Sequence, residues 1–231
     1  MKSAPKILYE DAHLLAVEKP IDTLSVPAPN VAEWRTLQGQ VRSWALENHK
    51  DFKPYPLNRL DRETSGIVLF GKFPRDRAAL EGIFKNPTTH KTYLALVKGA
   101  LKQSHGKIGI PLEARNSEHK VPAVTHYKLR EAYGPMSLLE VRIETGRQHQ
   151  IRKHLMMIGH PLMRDPKYGN KLYNLAFIKA TKGKAMMYLH AWKMEFDHPF
   201  TKERTEIVSE PPSLEVHLRY GKTDQRPARR R

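Results

Sequence analysis

The sequence predicts one mixed α+β domain with two lobes and a cleft between them. Three observations carry that prediction. Short apolar runs with a two-residue period recur along the chain, and segments with a three-to-four-residue apolar period interrupt them. No compositional linker or internal repeat divides the 231 residues. The 39% hydrophobic content suffices for a folded core.

Ile7, Leu8 and Tyr9, then Leu14 to Val17, read as two short strands closed by Lys19-Pro20. Residues 22–32 hold prolines and small polar residues and predict an irregular loop. Asn30 and Glu33 resemble a capping box ahead of a helix burying Leu37, Val41, Trp44 and Ala45. Ile67 to Phe70 is a buried-strand run. Pro74 suits the first turn of a second helix burying Ala78, Leu80, Ile83 and Phe84 and stopping near Asn86-Pro87. Lys91 to Val97 alternates as a strand, with Tyr93, Ala95 and Val97 on one face. Gly99 to His119 reads as an excursion from the core. Tyr127, Leu129, the Gly134-Pro135 turn and Leu139, Val141 and Ile143 predict an antiparallel hairpin. Gly146 marks a tight turn into a helix carrying Ile151, Leu155 and Ile158, which Gly159 ends. Residues 164–184 predict a glycine- and lysine-rich loop region with room for a short helix. Tyr188 to Phe196 predicts a strand, and Val216 to Tyr220 an edge strand. The domain is expected over residues 1–220, with 221–231 as a mobile basic tail.

Forty Lys and Arg stand against twenty-four Asp and Glu, a formal net charge of +16. Such a field favours polyanionic partners, nucleic acid first. Cysteine is absent, which excludes disulfides, thiol nucleophiles and cysteine-ligated metals. No long apolar segment is present, so a cytoplasmic protein off the membrane is expected, and a monomer. There is no GxxxxGK[ST], GxGxxG or GxSxG, removing the usual support for nucleotide hydrolysis, hydride transfer and serine hydrolysis.

The chemistry concentrates in two basic segments. Asn58-Arg59-Leu60-Asp61-Arg62-Glu63-Thr64-Ser65-Gly66 places one carboxylate between two guanidinium groups, which favour its ionised form beside another polyanion. Read alone, it fits a catalytic Asp61 and a turn-capping Asp61 with phosphate-binding arginines equally well. Thr145 to His154 is the second segment. Its helix start suits an anion, Arg152 is placed to point inward, and Arg147 and His149 suit backbone phosphates or a helix cap. His154 reads at least as well as a packing residue. Tyr93 could stack on a base, although a tyrosine in a strand is more often packed. His149, His154 and His160 match no zinc spacing. Asp165 reads as a turn residue or a partner of Arg164.

These segments resemble the RluA-type family of pseudouridine synthases. The family pattern His-Arg-Leu-Asp-x-x-Thr-Ser-Gly is met from Asn58 to Gly66, and Gly-Arg-x-His-Gln-Ile-Arg-x-His from Gly146 to His154. Leu15 to Pro20, Lys91-Thr92-Tyr93, Gly159-His160-Pro161-Leu162 and Leu189-His190-Ala191 are further landmarks. The resemblance implies a mostly antiparallel central sheet with flanking helices and a basic catalytic cleft. It also implies uridine isomerisation in structured RNA, an rRNA or tRNA stem-loop, without cofactor or metal. Asp61 would be the catalytic aspartate, Tyr93 would stack on the uracil near the C5 proton step, and Arg152 would pair with Asp61. Arg59 would hold the RNA or fill the space left by the flipped base. Arg62, Arg147, His149 and Lys153 would contact RNA. No S4 domain is expected before residue 7, so a compact member is implied. Asn58 replaces the usual histidine, and Arg164 stands where glycine is common. A non-catalytic ribosome-associated RNA-binding protein is the competing expectation. A metal-dependent nuclease fits less well, lacking a second carboxylate beside Asp61.

Overall fold

The computed structural model describes residues 4–114 and 117–223. The chain-order strands are β1 (Lys6–Glu10), β2 (Leu14–Lys19), β3 (Tyr55–Pro56), β4 (Ser65–Gly71), β5 (His90–Lys98) and β6 (His105–Ile108). They continue with β7 (Leu112–Glu113), β8 (Lys120–Val121), β9 (Thr125–Tyr133), β10 (Met136–Ile143), β11 (Leu189–Asp197) and β12 (Arg204–Val208). The helices are α1 (Leu37–Glu47), α2 (Arg77–Gly82), α3 (Gln150–Met157), α4 (Lys171–Ala180) and α5 (Glu215–Thr223). The fold is mixed α+β, with mostly antiparallel sheet and flanking helices. Two compact units result: the described residues up to Lys91 with His190–Pro211, and Thr92–Leu189 with the described residues from Pro212.

In the first unit β2 lies antiparallel between β1 and β4, while β4 meets β11 in parallel at His190↔Ser65 and Ala191↔Gly66. Alternate residues of β2 and β4 serve opposite faces. Leu14, Ala16, Ile67 and Leu69 pack with Leu80 and Ile83 at the α2 end, and Leu15, Val17, Val68 and Phe70 pack with Leu37 and Val41 of α1. Burial on both faces explains why β4 reads as an unbroken apolar run. Thr36, not Asn30, caps α1: its side chain accepts from Gly39 N–H at 3.2 Å, whereas Asn30 lies before a separate short turn at Glu33–Arg35. Ala78 is exposed rather than buried, because the short α2 turns only Leu80 inward.

In the second unit the sheet runs β5–β10–β9–β6, and β9–β10 is the expected hairpin. Ala95, Val97, Leu139, Val141 and Ile143 pack beneath Ile151 and Leu155 of α3, with Tyr93 against the edge of this core. Residues 164–184 contain the short helix the sequence allowed, the ten-residue α4, capped by the Asn170 side chain on Tyr173 N–H at 3.1 Å. One expectation is corrected. Val216 to Tyr220 is helical, because His217 and Tyr220 are buried three positions apart, which a strand cannot present on one face. Residues 224–231, most of the expected basic tail, lie outside the described residues. No helix among the described residues is long and apolar enough to cross a membrane.

Candidate active site

In the first unit Asp61 sits in the connection entering β4, half-buried, at the head of a turn closed by Thr64 N–H on its carbonyl at 3.1 Å. Three contacts fix this connection. Ser25, buried, exchanges hydrogen bonds with the backbone of Leu60 at 2.9 and 3.0 Å. Asn58 accepts from Leu69 N–H at 2.8 Å, so the residue replacing the family's histidine staples the connection to β4. The Ser65 hydroxyl meets His190 Nδ1 at 2.9 Å, while His190 Nε2 reaches Ser209 O at 3.1 Å. Burial pushes the His190 pKa down, so the neutral ring is favoured.

Lys19 is the cation that sequence reasoning missed. Its side chain is fully buried, and its ammonium donates to Pro20 O (2.9 Å), Thr23 O (2.7 Å) and Arg62 O (3.1 Å). Burial pushes its pKa down to about 8, against the attraction of Asp61 first and then Glu63 and Asp22. A buried positive charge thus acts on Asp61 from beneath the loop. Arg62 directs Nε to Asp22 at 2.7 Å, with both side chains more than half exposed, and Arg59 is exposed. The sequence signal for Lys19 was its place at the end of an apolar strand, where a lysine has no packing reason to be.

In the second unit α3 carries Arg152 with its side chain only 2% exposed. Its Nε and Nη2 donate to the two carboxylate oxygens of Asp165, each at 2.8 Å. Burial alone would raise the Asp165 pKa, but Arg152 and the N–H groups of Tyr168 and Lys167 hold it below the usual range. Asp165 pins a turn, as expected, but its cationic partner is Arg152. Arg164 instead donates to Gly183 O at 2.9 Å and to Ala185 O. It also keeps φ at +59°, the conformation that glycine commonly supplies at this position.

The left-handed residue entering α3 is His149 (φ 54°, ψ 29°), not Gly146. His149 Nδ1 lies 2.9 Å from the Tyr168 hydroxyl. Arg147 is exposed, with Nε on Pro122 O at 3.2 Å, and Lys153 is half-buried. His154 is a packing residue: fully buried, it bridges Thr125 Oγ1 and Ile110 O, both at 2.9 Å. Tyr93 is half-buried on β5. The structure therefore gathers Arg152, Asp165, Tyr168 and His149 in one unit, and Asp61, Lys19 and the Ser65–His190 pair in the other.

A sequence profile described as RNA pseudouridylate synthase matches residues 13–156. The chain is 34% identical to the ribosomal large subunit pseudouridine synthase D of Nitrosomonas europaea, over 84% of this chain and 58% of that protein. It is 34% identical to the uncharacterized RNA pseudouridine synthase YhcT of Bacillus subtilis, over 89% of this chain and 68% of that protein. The ribosomal large subunit pseudouridine synthase C of Escherichia coli is also 34% identical, over 88% of this chain and 66% of that protein. The chain thus spans between about half and two thirds of the length of these relatives. In fold it matches human RNA pseudouridylate synthase domain containing 4, with a TM-score of 0.76 at 21% identity over 94% of this chain and 92% of that one.

Proposed function

Because this chain belongs to the RNA pseudouridylate synthase family, we propose that it isomerises uridine to pseudouridine in structured RNA. The observation that carries the reading is the family match over residues 13–156, which includes the whole Asn58–Gly66 segment. Ribosomal RNA is the favoured substrate class, from the names of the relatives in Nitrosomonas europaea and Escherichia coli. A transfer RNA stem-loop is the second.

The reaction breaks the N1–C1′ bond, turns the uracil, forms C5–C1′ and releases the C5 proton to N1, leaving the composition unchanged. In this reading an ionised Asp61 drives the glycosidic step. Arg152 supplies the guanidinium of the catalytic set, and Tyr93 stacks on the extruded base and assists proton removal at C5. Base extrusion costs a few kcal/mol and is cheapest in loops. Arg59, Arg62, Arg147, His149 and Lys153 hold phosphates around it, and the +16 formal charge favours the encounter. The protein acts in the cytoplasm as a monomer. The test is incubation of the chain with ribosomal and transfer RNA in chelator, followed by mapping of pseudouridine. Site-specific pseudouridine is expected; bound but unmodified RNA would favour a non-catalytic binding protein instead.

A further inference from the structure

We infer that Asp165 and Tyr168 form a bracket that orients the Arg152 guanidinium and the His149 ring, which makes them positioning residues for the isomerisation; the inference rests on the role given to Arg152 above. The two 2.8 Å bonds from Arg152 to Asp165 fix the guanidinium plane as a single contact could not. The Asp165 side chain is 0% exposed, so water does not compete for it. Its Oδ1 also accepts the N–H groups of Lys167 (2.9 Å) and Tyr168 (3.0 Å), closing the turn. That turn sets the Tyr168 ring centroid 5.4 Å from the Arg152 guanidinium carbon and its hydroxyl on His149. One carboxylate therefore orients Arg152 directly and His149 through Tyr168.

The bracket is itself anchored. Asn174 donates to Asp165 O at 3.0 Å and accepts from Arg164 N–H at 2.8 Å, tying the turn to α4. A buried ion pair contributes little net stability, because desolvation offsets its attraction. What this pair supplies is direction. His149 sits at φ 54°, a left-handed conformation that strains a non-glycine residue and is tolerated where surrounding contacts over-determine the geometry.

The test is single-turnover pseudouridine formation at saturating RNA, read beside RNA affinity and circular dichroism. Asp165→Asn is expected to slow the rate about 100-fold, as misplacement of a reacting group by about 1 Å can, with RNA affinity retained. Because that variant takes the carboxylate from a buried guanidinium, a second measurement uses Arg152→Ala and Arg152→Ala/Asp165→Asn, both of which remove the guanidinium as well. Guanidinium chloride, far below denaturing concentration and with sodium chloride as control, should restore part of the rate to Arg152→Ala alone. Equal responses in both backgrounds, including none in either, would overturn the bracket while leaving Arg152 its role. A wild-type rate in Arg152→Ala would remove that role, and the inference with it.

Discussion

Adding a single methyl group at Gly66 tests the architecture beneath Asp61. Gly66 has φ +109°, and a Cβ built there meets Ala191 O at 2.3 Å, N at 2.7 Å and C at 2.8 Å. All three are backbone atoms of the parallel partner strand, so no side chain can swing aside. The closest contact falls about 1 Å inside the 3.4 Å at which ordinary contact begins. The backbone conformation costs a non-glycine residue about 1–3 kcal/mol, and forced separation at a packed contact about 1–3 kcal/mol more. Gly66→Ala should therefore lose about 2–6 kcal/mol, against a typical total of about 5–15 kcal/mol. Strand separation also moves the turn joining Thr64 to Asp61, and about 1 Å there corresponds to about 100-fold in rate. Urea unfolding followed by circular dichroism reads the first effect, and single-turnover pseudouridine formation below the transition reads the second. Ser65→Ala is the control: it removes the bond to His190 without adding an atom, at about 1 kcal/mol. If Gly66→Ala unfolds within about 0.5 kcal/mol of wild type, the range of an ordinary surface change, and turns over normally, the close approach of β4 to β11 is not what holds the loop.

Tyr93→Phe keeps the ring and loses the hydroxyl, so RNA binding should persist while product formation slows by about 100-fold, the usual scale of a lost proton-transfer group; a normal single-turnover rate would show the hydroxyl to be dispensable. Lys19 gives a pH signature with a definite sign. Its folded pKa of about 8 lies below the ordinary 10.5, so between those values the unfolded chain holds the extra proton and stability rises with pH, by about 3 kcal/mol in all. Urea midpoints from pH 7.5 to 10.5 should rise more steeply for wild type than for Lys19→Met, and parallel slopes would contradict the assignment. On the acid side the sign is the same. Burial lowers the His154 pKa from 6.5, so the stability it contributes is present above pH 6.5 and lost as pH falls through the folded value. His154→Gln, which has a donor and an acceptor but no titration there, should lose less stability between pH 7.5 and 5; equal losses would contradict this.

Much of the fold was legible because short-range periodicity reports burial directly. β4 is covered on both faces and reads as a continuous run, while β9–β10 declares itself through alternation around Gly134-Pro135. The failures have local causes. Val216, Leu218 and Tyr220 alternate like a strand, yet His217 and Tyr220 are the buried pair, and a buried histidine does not announce itself in a hydrophobic pattern. Asn30 and Glu33 have cap spacing, but Thr36 stands at the actual helix entry, with the hydroxyl that Gly39 N–H needs. In the candidate site the two signature segments were visible and their supports were not. Lys19 grips carbonyls as far along the chain as Arg62, and Asp165 reaches Arg152 across a change of element. Neither pairing has a spacing rule, because each is set by how the strand, turn and helix close in three dimensions.

We propose that the Asp61 carboxylate performs the isomerisation while basic side chains bind RNA. Asp61→Asn tests it most directly, since the amide keeps the size and hydrogen-bonding reach of the side chain and removes its charge. Purified wild type and variant should bind the same RNA with closely similar affinity and unfold at similar urea concentration, with mapped pseudouridine formed only by wild type. Pseudouridine formed by Asp61→Asn at the wild-type rate would contradict the account.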